Sequence, residues 1–241
     1  MTKKFACQVA ASLLLAISGA SFIPLALKKA TYTSFRCNPK TTTIQLYWKD
    51  SKGEIIGNFD QLQKMAEGSG SKLLFAMNGG MFTTDYKPVG LYIENGKQAT
   101  PINLRNGHGN FHMEPNGIFY IDDKKLAHVC TSNAYPGNRN VQYATQSGPM
   151  LLVDGKIHPA FTKGSSNTNI RNGVGILPNN QVLLAISNEP VNFYDFAEYF
   201  KEAGCRDALY LDGVISGAYV AGKDGINRQG KFGVLVGVAE K

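Results

Sequence analysis

Apolar and polar positions change period several times along the chain, and each change marks an element. Thr42–Trp48 is rich in β-branched and aromatic residues and predicts the first strand. Asn58 then stands where a helix cap is needed. Phe59, Leu62, Met65 and Ala66 follow at helical spacing, and Gly68 stops the run, so a helix is predicted over Phe59–Glu67. Leu73–Met77 (LLFAM) is a continuous apolar run and predicts a buried strand ending at Asn78-Gly79-Gly80.

From Val89 to Ser187 the pattern becomes strand, turn, strand. Four hairpins are predicted, turning at Asn95-Gly96, at Asp122–Lys124, at Asp154-Gly155 and at Pro178–Asn180. Asn-Gly is a strong type I′ signal, because both central residues need positive φ. The hairpins repeat: GLYIENGK and GPMLLVDGK share a pattern, as do GIFYIDDKKLAHV and GILPNNQVLLAI. Gly90 and Gly148 are 58 residues apart, as are Gly117 and Gly175. This reads as an internal duplication of a two-hairpin unit. Asn192 next caps a helix over Phe193–Ala203, with Phe193, Phe196, Ala197, Phe200 and Ala203 on one face.

Ala208–Leu211 is the following buried strand, and it stops at Asp212-Gly213. A carboxylate there sits where the backbone leaves the core, and Gly213 allows a turn with positive φ. An Asp-Gly turn without chemistry explains the dipeptide equally well. Helix, glycine loop, apolar strand and a polar residue before Gly therefore occur twice. Asn78 is the expected counterpart of Asp212, and the two are expected to converge on one cleft. Phe232–Val238 closes the chain as a strand.

Composition supports this outline. With 26 glycines in 241 residues and 43% hydrophobic residues, the chain suits many tight turns around one sizeable core. The fold class expected is α+β: a β-rich single domain over 30–241, with an extensive mixed or antiparallel sheet built of hairpins and a few helices. Ahead of it, Lys3-Lys4, the apolar run Phe5–Ile17 and Ser18–Ser21 have the layout of an export signal. Phe5–Leu27 is also about long enough to span a bilayer. Residues 1–27 are therefore expected to be a signal peptide or a membrane anchor, and the protein is expected to be exported, periplasmic or extracellular.

Charge and cysteine content exclude some classes. The net charge is +7, and loss of Lys3 and Lys4 would leave +5. The basic residues are scattered, without the arginine stripe that tracks a nucleic-acid backbone. A mild positive field suits anionic small substrates or envelope polymers. Cys37, Cys130 and Cys205 remain after such a cleavage. Their wide spacing leaves one bridge with one free thiol, or three thiols, both open. His108 and His112, in NGHGNFH, have no helix to order them as a metal pair. His128 and His158 read as structural. No phosphate-binding glycine loop or dinucleotide fingerprint occurs, so no cofactor and no metal are expected.

Six stretches in order, NGGMF (78–82), PVGLYIENGK (88–97), NFHMEPNGIFYI (110–121), QSGPMLLVDGKIHP (146–159), RNGVGI (171–176) and LYLDGVIS (209–216), resemble the phosphodiester glycosidase (uncovering-enzyme-like) family. Similarity is greatest to its small exported bacterial members and runs from about Phe35 to Val238. The resemblance implies an α+β fold with a groove lined by these motifs, and cleavage of a sugar from a phosphodiester. The phosphate leaving group departs readily as an anion, so a strong general acid matters less than in glycosidases with two carboxylates. A carboxylate acting as nucleophile or base, and cationic or amide stabilisation of the phosphate, remain necessary.

Asp212 is the expected carboxylate. Arg171, beside Asn172 and Gly173, is the expected phosphate clamp, since a guanidinium fork matches phosphate oxygens. Asn78 would orient a sugar or phosphate oxygen, with Gly79 and Gly80 offering backbone N–H groups as an anion nest. Gln146, Ser147, Gly148, Asn172, Gly213 and Ser216 complete the expected substrate contacts. Ser147 lacks the elbow motif of a nucleophile. Asn116 is a further rim position, and Asp85, Glu94 and Glu114 are reserve carboxylates. The expected function is hydrolysis of a sugar-1-phosphodiester in a phosphate-containing glycan or small sugar phosphodiester. A non-catalytic module binding anionic glycans or the cell envelope is the alternative.

Overall fold

The computed structural model describes residues 30–213 and 215–240. The segment expected to direct export or anchoring, 1–27, lies outside them. In chain order the elements are β1 (Tyr32–Cys37), β2 (Thr43–Tyr47), α1 (Phe59–Gly68), β3 (Leu73–Gly80), β4 (Tyr92–Glu94) and β5 (Lys97–Thr100). Next come β6 (Gly117–Asp122), β7 (Ala127–Thr131), β8 (Val141–Ser147), β9 (Met150–Val153), β10 (Lys156–Ile157) and β11 (Asn172–Ile176). The chain continues with β12 (Val182–Ser187), α2 (Phe193–Glu202), β13 (Asp207–Asp212), β14 (Ala218–Val220) and β15 (Val234–Ala239).

The expected fold class holds, with the strands divided among three sheets and every pairing between named strands antiparallel. All four predicted hairpins form. Asn95-Gly96 and Asp154-Gly155 have φ values of 50° and 74° in both turns, as type I′ geometry demands. Both helices start where predicted: the Asn58 side chain accepts from Gln61 N and that of Asn192 from Asp195 N.

Strand order reveals a repeat. One sheet runs β5-β4-β8-β6-β7, and the second runs β10-β9-β13-β11-β12 with β1 added at its edge. In each, two hairpins flank a central strand that follows them in sequence. The counterpart of β13 is therefore β8, and that of Asp212 is Ser147. Asn78 lies instead in the third sheet, β14-β3-β15-β2, which corrects the expected pairing of Asn78 with Asp212 as related strand ends. The expectation followed the helix–strand order shared by α1-β3 and α2-β13, whereas only a 3-10 turn, Ser132–Ala134, stands between β7 and β8, so no α-helix signals the kinship.

The main core lies between the sheets, where Phe75, Met77, Phe119, Met150, Leu184, Leu209 and Val236 are buried together. Helix α2 covers the outer face of the β13 sheet, placing Phe196 and Phe200 against Leu151, Leu183 and Tyr210. Burying each of these phenylalanines contributes about 2–3 kcal/mol. Helix α1 does the same on the third sheet with Phe59 and Leu62 against Ala76 and Leu235. These two helices clamp β13 and β3 from outside, so both strands deliver their C-terminal ends as rigid positions.

Candidate functional site

The site forms where the three sheets meet. Residues 172, 174 and 176 of β11 face the inter-sheet core, and residues 171, 173 and 175 face α2, as the two-residue strand period requires. A bulge at Leu211 lies between the pairs Gly173–Tyr210 and Asn172–Asp212, and it aligns Asp212 with Asn172. The Asn172 side chain is wholly buried. Its Nδ2 donates to the Asn78 carbonyl and to Asn78 Oδ1, both at 2.7 Å, and its Oδ1 accepts from Asp212 N at 2.8 Å. Asn78 Nδ2 donates to Asp212 Oδ2 at 3.2 Å, while its Oδ1 also accepts from Gly217 N at 3.1 Å. Asp212 Oδ1 accepts from Gly213 N at 2.6 Å. The Ser216 hydroxyl donates to the Asp212 carbonyl at 3.0 Å, closing the loop over the strand end. From the first sheet, Ser147 Oγ donates to the Leu211 carbonyl at 2.8 Å.

Five expected residues therefore sit together: Asn78, Asn172, Asp212, Gly213 and Ser216, with Ser147 bracing the strand beneath. The Asp212 carboxylate is held on both oxygens by N–H donors, and the residue is 9% exposed. Ile215, in the same loop, is 42% exposed and apolar. The arrangement presents a fixed carboxylate in a polar, amide-lined strand end with an apolar neighbour.

Other expected residues lie differently. Strand β3 continues through Gly80 instead of stopping at Asn78, because Asn78 pairs with Leu235 and Gly80 with Val234. Gly79 and Gly80 are thus extended, buried strand residues rather than an anion nest. Each is small because something approaches closely: a Cβ would meet Leu235 C at 2.9 Å from Gly79, and Thr145 Oγ1 at 2.5 Å from Gly80. Gly213 does not adopt positive φ. Its lack of a side chain is explained by the Tyr210 hydroxyl, which would lie 1.6 Å from a Cβ there.

Gln146 is spent on scaffolding. Its Oε1 accepts from the backbone N–H of Leu91 and Asn103, and its Nε2 donates to the Asn103 carbonyl and the Ser132 hydroxyl. Gly148 packs against Asn116, whose Nδ2 donates to the Phe111 carbonyl. Among the reserve carboxylates, Asp85 forms an exposed pair with Lys87 at 2.7 Å, and Glu94 accepts from the Tyr92 hydroxyl at 2.6 Å.

Arg171 is the largest departure. It faces α2, on the opposite side of β11 from Asn172, and is wholly buried. Its guanidinium stacks 3.7 Å from the Phe193 ring centroid. Nε donates to the Val191 carbonyl at 2.8 Å, and Nη2 donates to the Asn167 carbonyl and side chain at 2.9 and 3.2 Å. Nη1 donates to the Tyr210 hydroxyl at 3.3 Å. The fork expected for phosphate is committed to protein groups.

Tyr210 is the residue that sequence reasoning missed. In ALYLDG it looks like one more core side chain, and the only hint was a phenol with a polar end among aliphatics. Burial pushes its phenol well above its ordinary value, with Arg171 and Asn110 opposing and Asp212 adding to the rise. Among the described residues the cysteines, Cys37, Cys130 and Cys205, are free thiols. Burial raises Cys37 and Cys205 to about 12 and Cys130 to about 11. Among the described residues no three His, Cys, Asp or Glu side chains are grouped to hold a metal, and His112 Nδ1 lies 2.9 Å from the Arg105 carbonyl. No helix among those residues is long and apolar enough to cross a membrane.

Known proteins share this framework. The phosphodiester glycosidase family profile matches residues 71–238. An uncharacterized protein of Escherichia coli (strain K12), YigE, is 38% identical over 193 residues, covering 80% of this chain and 75% of its own. The catalytic domain of zebrafish N-acetylglucosamine-1-phosphodiester alpha-N-acetylglucosaminidase, solved in a form auto-inhibited by its pro-peptide, superposes with a TM-score of 0.60. That match covers 90% of this chain and 85% of the other at 14% identity. A Burkholderia pseudomallei K96243 protein, described as a candidate exported protein, gives 0.55 at 12% identity, covering 86% and 73%. The last two likenesses concern the fold. With its profile spanning well over half the sequence and a relative of this similarity, the chain belongs to the phosphodiester glycosidase family, a family of hydrolases.

Proposed function

We propose that the protein is an exported glycosidase that hydrolyses a sugar-1-phosphodiester and releases the sugar from a phosphate-linked glycan. The observation that carries this reading is the Asp212 carboxylate, fixed by Asn78 Nδ2 and Gly213 N where three sheets converge. In the reaction, the bond between the anomeric carbon and the phosphate oxygen breaks. The phosphate monoester leaves with the electron pair, and water supplies the hydroxyl to the sugar. A phosphate monoester needs little protonation to depart, so one oriented carboxylate suffices as nucleophile or base on the oxocarbenium-like centre. Fixing it in advance removes reorganisation from the reaction step. Export is supported by the pattern of residues 3–21 and by likeness to a protein described as a candidate for export.

The test is turnover of methyl phosphodiesters of hexose 1-phosphates, with product identification. Free sugar is the expected product, and Asp212→Asn is expected to abolish its release with the fold intact. Full activity in Asp212→Asn removes the mechanism. Sugar phosphate as product would indicate a phosphoesterase instead. Saturable binding of anionic glycans without turnover would indicate a binding module.

A further inference from the structure

Between Arg171 and the reacting carboxylate stands a chain of contacts that no exposed residue interrupts. Arg171 Nη1 donates to the Tyr210 hydroxyl at 3.3 Å. That hydroxyl occupies the space where a Gly213 side chain would be, 1.6 Å from the Cβ position. The Gly213 N–H in turn donates to Asp212 Oδ1 at 2.6 Å. The Arg171–Tyr210 end of this chain is pinned. The Phe193 ring lies under the guanidinium, which is tied to Val191 and Asn167. The Tyr210 ring meets Phe193 edge-on at 4.8 Å. Arg171 and Tyr210 are both wholly buried.

We propose that Arg171 and Tyr210 are positioning residues: Arg171 holds the Tyr210 hydroxyl against Gly213, and this sets the backbone amide that orients the Asp212 carboxylate. A phosphate clamp would need free N–H pairs facing substrate. Here Nε, Nη1 and Nη2 all donate to protein acceptors. A neutral acceptor at Nη1 also makes the guanidinium sensitive to the loss of one hydroxyl. The proposal rests on the reading of Asp212 as the reacting carboxylate, and its test separates the two.

Four proteins are compared: wild type, Arg171→Lys, Tyr210→Phe and the double variant. Deuterium uptake of a peptide spanning residues 209–217 is measured alongside kcat and KM on the methyl phosphodiester panel. Each single variant is expected to raise uptake and to lower kcat about tenfold, with KM within about twofold. The double variant is expected to be no worse than Arg171→Lys alone, because both act through one contact. A KM rise of about tenfold in Arg171→Lys with kcat kept, multiplying with Tyr210→Phe, overturns the proposal and restores a direct phosphate contact. If wild type turns over no diester, the glycosidase reading fails while uptake still decides positioning: equal uptake in all four proteins overturns it. Should Tyr210→Phe fail to fold, Phe193→Leu removes the ring that lies under the guanidinium and edge-on to Tyr210, and it is expected to raise uptake of 209–217. Unchanged uptake there, with unchanged uptake in Arg171→Lys, overturns the proposal as well.

Discussion

Two sheets of this protein share one plan and end differently. In each, two hairpins flank a central strand, and the strand beside it begins with Asn-Gly. Gly117 of Asn116-Gly117 lies opposite Ser147, and Asn172 of Asn172-Gly173 lies opposite Asp212. The ends are not equally equipped. Asn116 makes one side-chain bond, to the Phe111 carbonyl, and Ser147 supports the neighbouring sheet. Asn172 makes three and meets a carboxylate. The second sheet also has α2 before its central strand, and hence Phe193 and Arg171 behind Tyr210. The scaffold is thus common to both units, and the proposed chemistry rests on a few residues at one strand end.

The sharpest way to break this comparison is to exchange the roles of the two ends. Asp212→Asn is expected to lower kcat/KM on the order of a thousandfold or more, while Ser147→Ala is expected to cost about tenfold or less. Ser147→Ala leaves the Leu211 carbonyl without its donor and is expected to reduce stability by about 1 kcal/mol. Steady-state kinetics with urea unfolding separates the two effects. Similar activity losses in both variants would mean that both ends take part in the chemistry.

Next in size is the contrast between the two asparagines. Asn172→Ala removes three hydrogen bonds in a wholly buried site and strands the Asp212 N–H, so about 3 kcal/mol of stability should be lost. Asn116→Ala removes one bond and should cost about 1 kcal/mol. The midpoints of urea unfolding curves measure both. Equal losses would mean that the Asn172 network is no tighter than its counterpart.

How much of this could be read beforehand follows from the same contrast. Hairpins, caps and buried strands depend on local signals, and Asn95-Gly96, Asp154-Gly155, Asn58 and Asn192 act within a few residues. They were legible. Strands β1, β8 and β14 were not, since sequences such as VQYATQS (141–147) become strands by pairing with distant partners. At the site, Asn78 and Asp212 were legible as polar residues ending apolar runs. The direction in which Arg171 points was not. It depends on which face of β11 α2 covers, and Gly173 and Gly175 reveal that face only once Phe196 and Phe200 are seen against them. Gly213 looked like a turn residue because close approach of a side chain 3 positions earlier leaves no mark in the sequence.

The smallest expected effect concerns the joint between the two units. His158, just past β10 of the second unit, reaches the first through Nε2, which donates to the Glu114 carbonyl at 3.0 Å. Its Nδ1 accepts from Ala160 N at 3.1 Å, so the imidazole is neutral, and its ring stacks on Phe161. Burial pushes this histidine below its ordinary value of 6.5, with the Glu114 contact opposing. The unfolded chain therefore takes up the proton first as the pH falls. Its contribution to stability is full above about pH 6.5, declines as the pH drops toward the lowered folded value, and levels off below it. Between pH 7.5 and pH 5, the urea midpoint of wild type should fall more than that of His158→Gln, whose uncharged side chain cannot titrate. Parallel declines in the two proteins would show that the joint carries no proton-linked stability and that the pH dependence arises within the units.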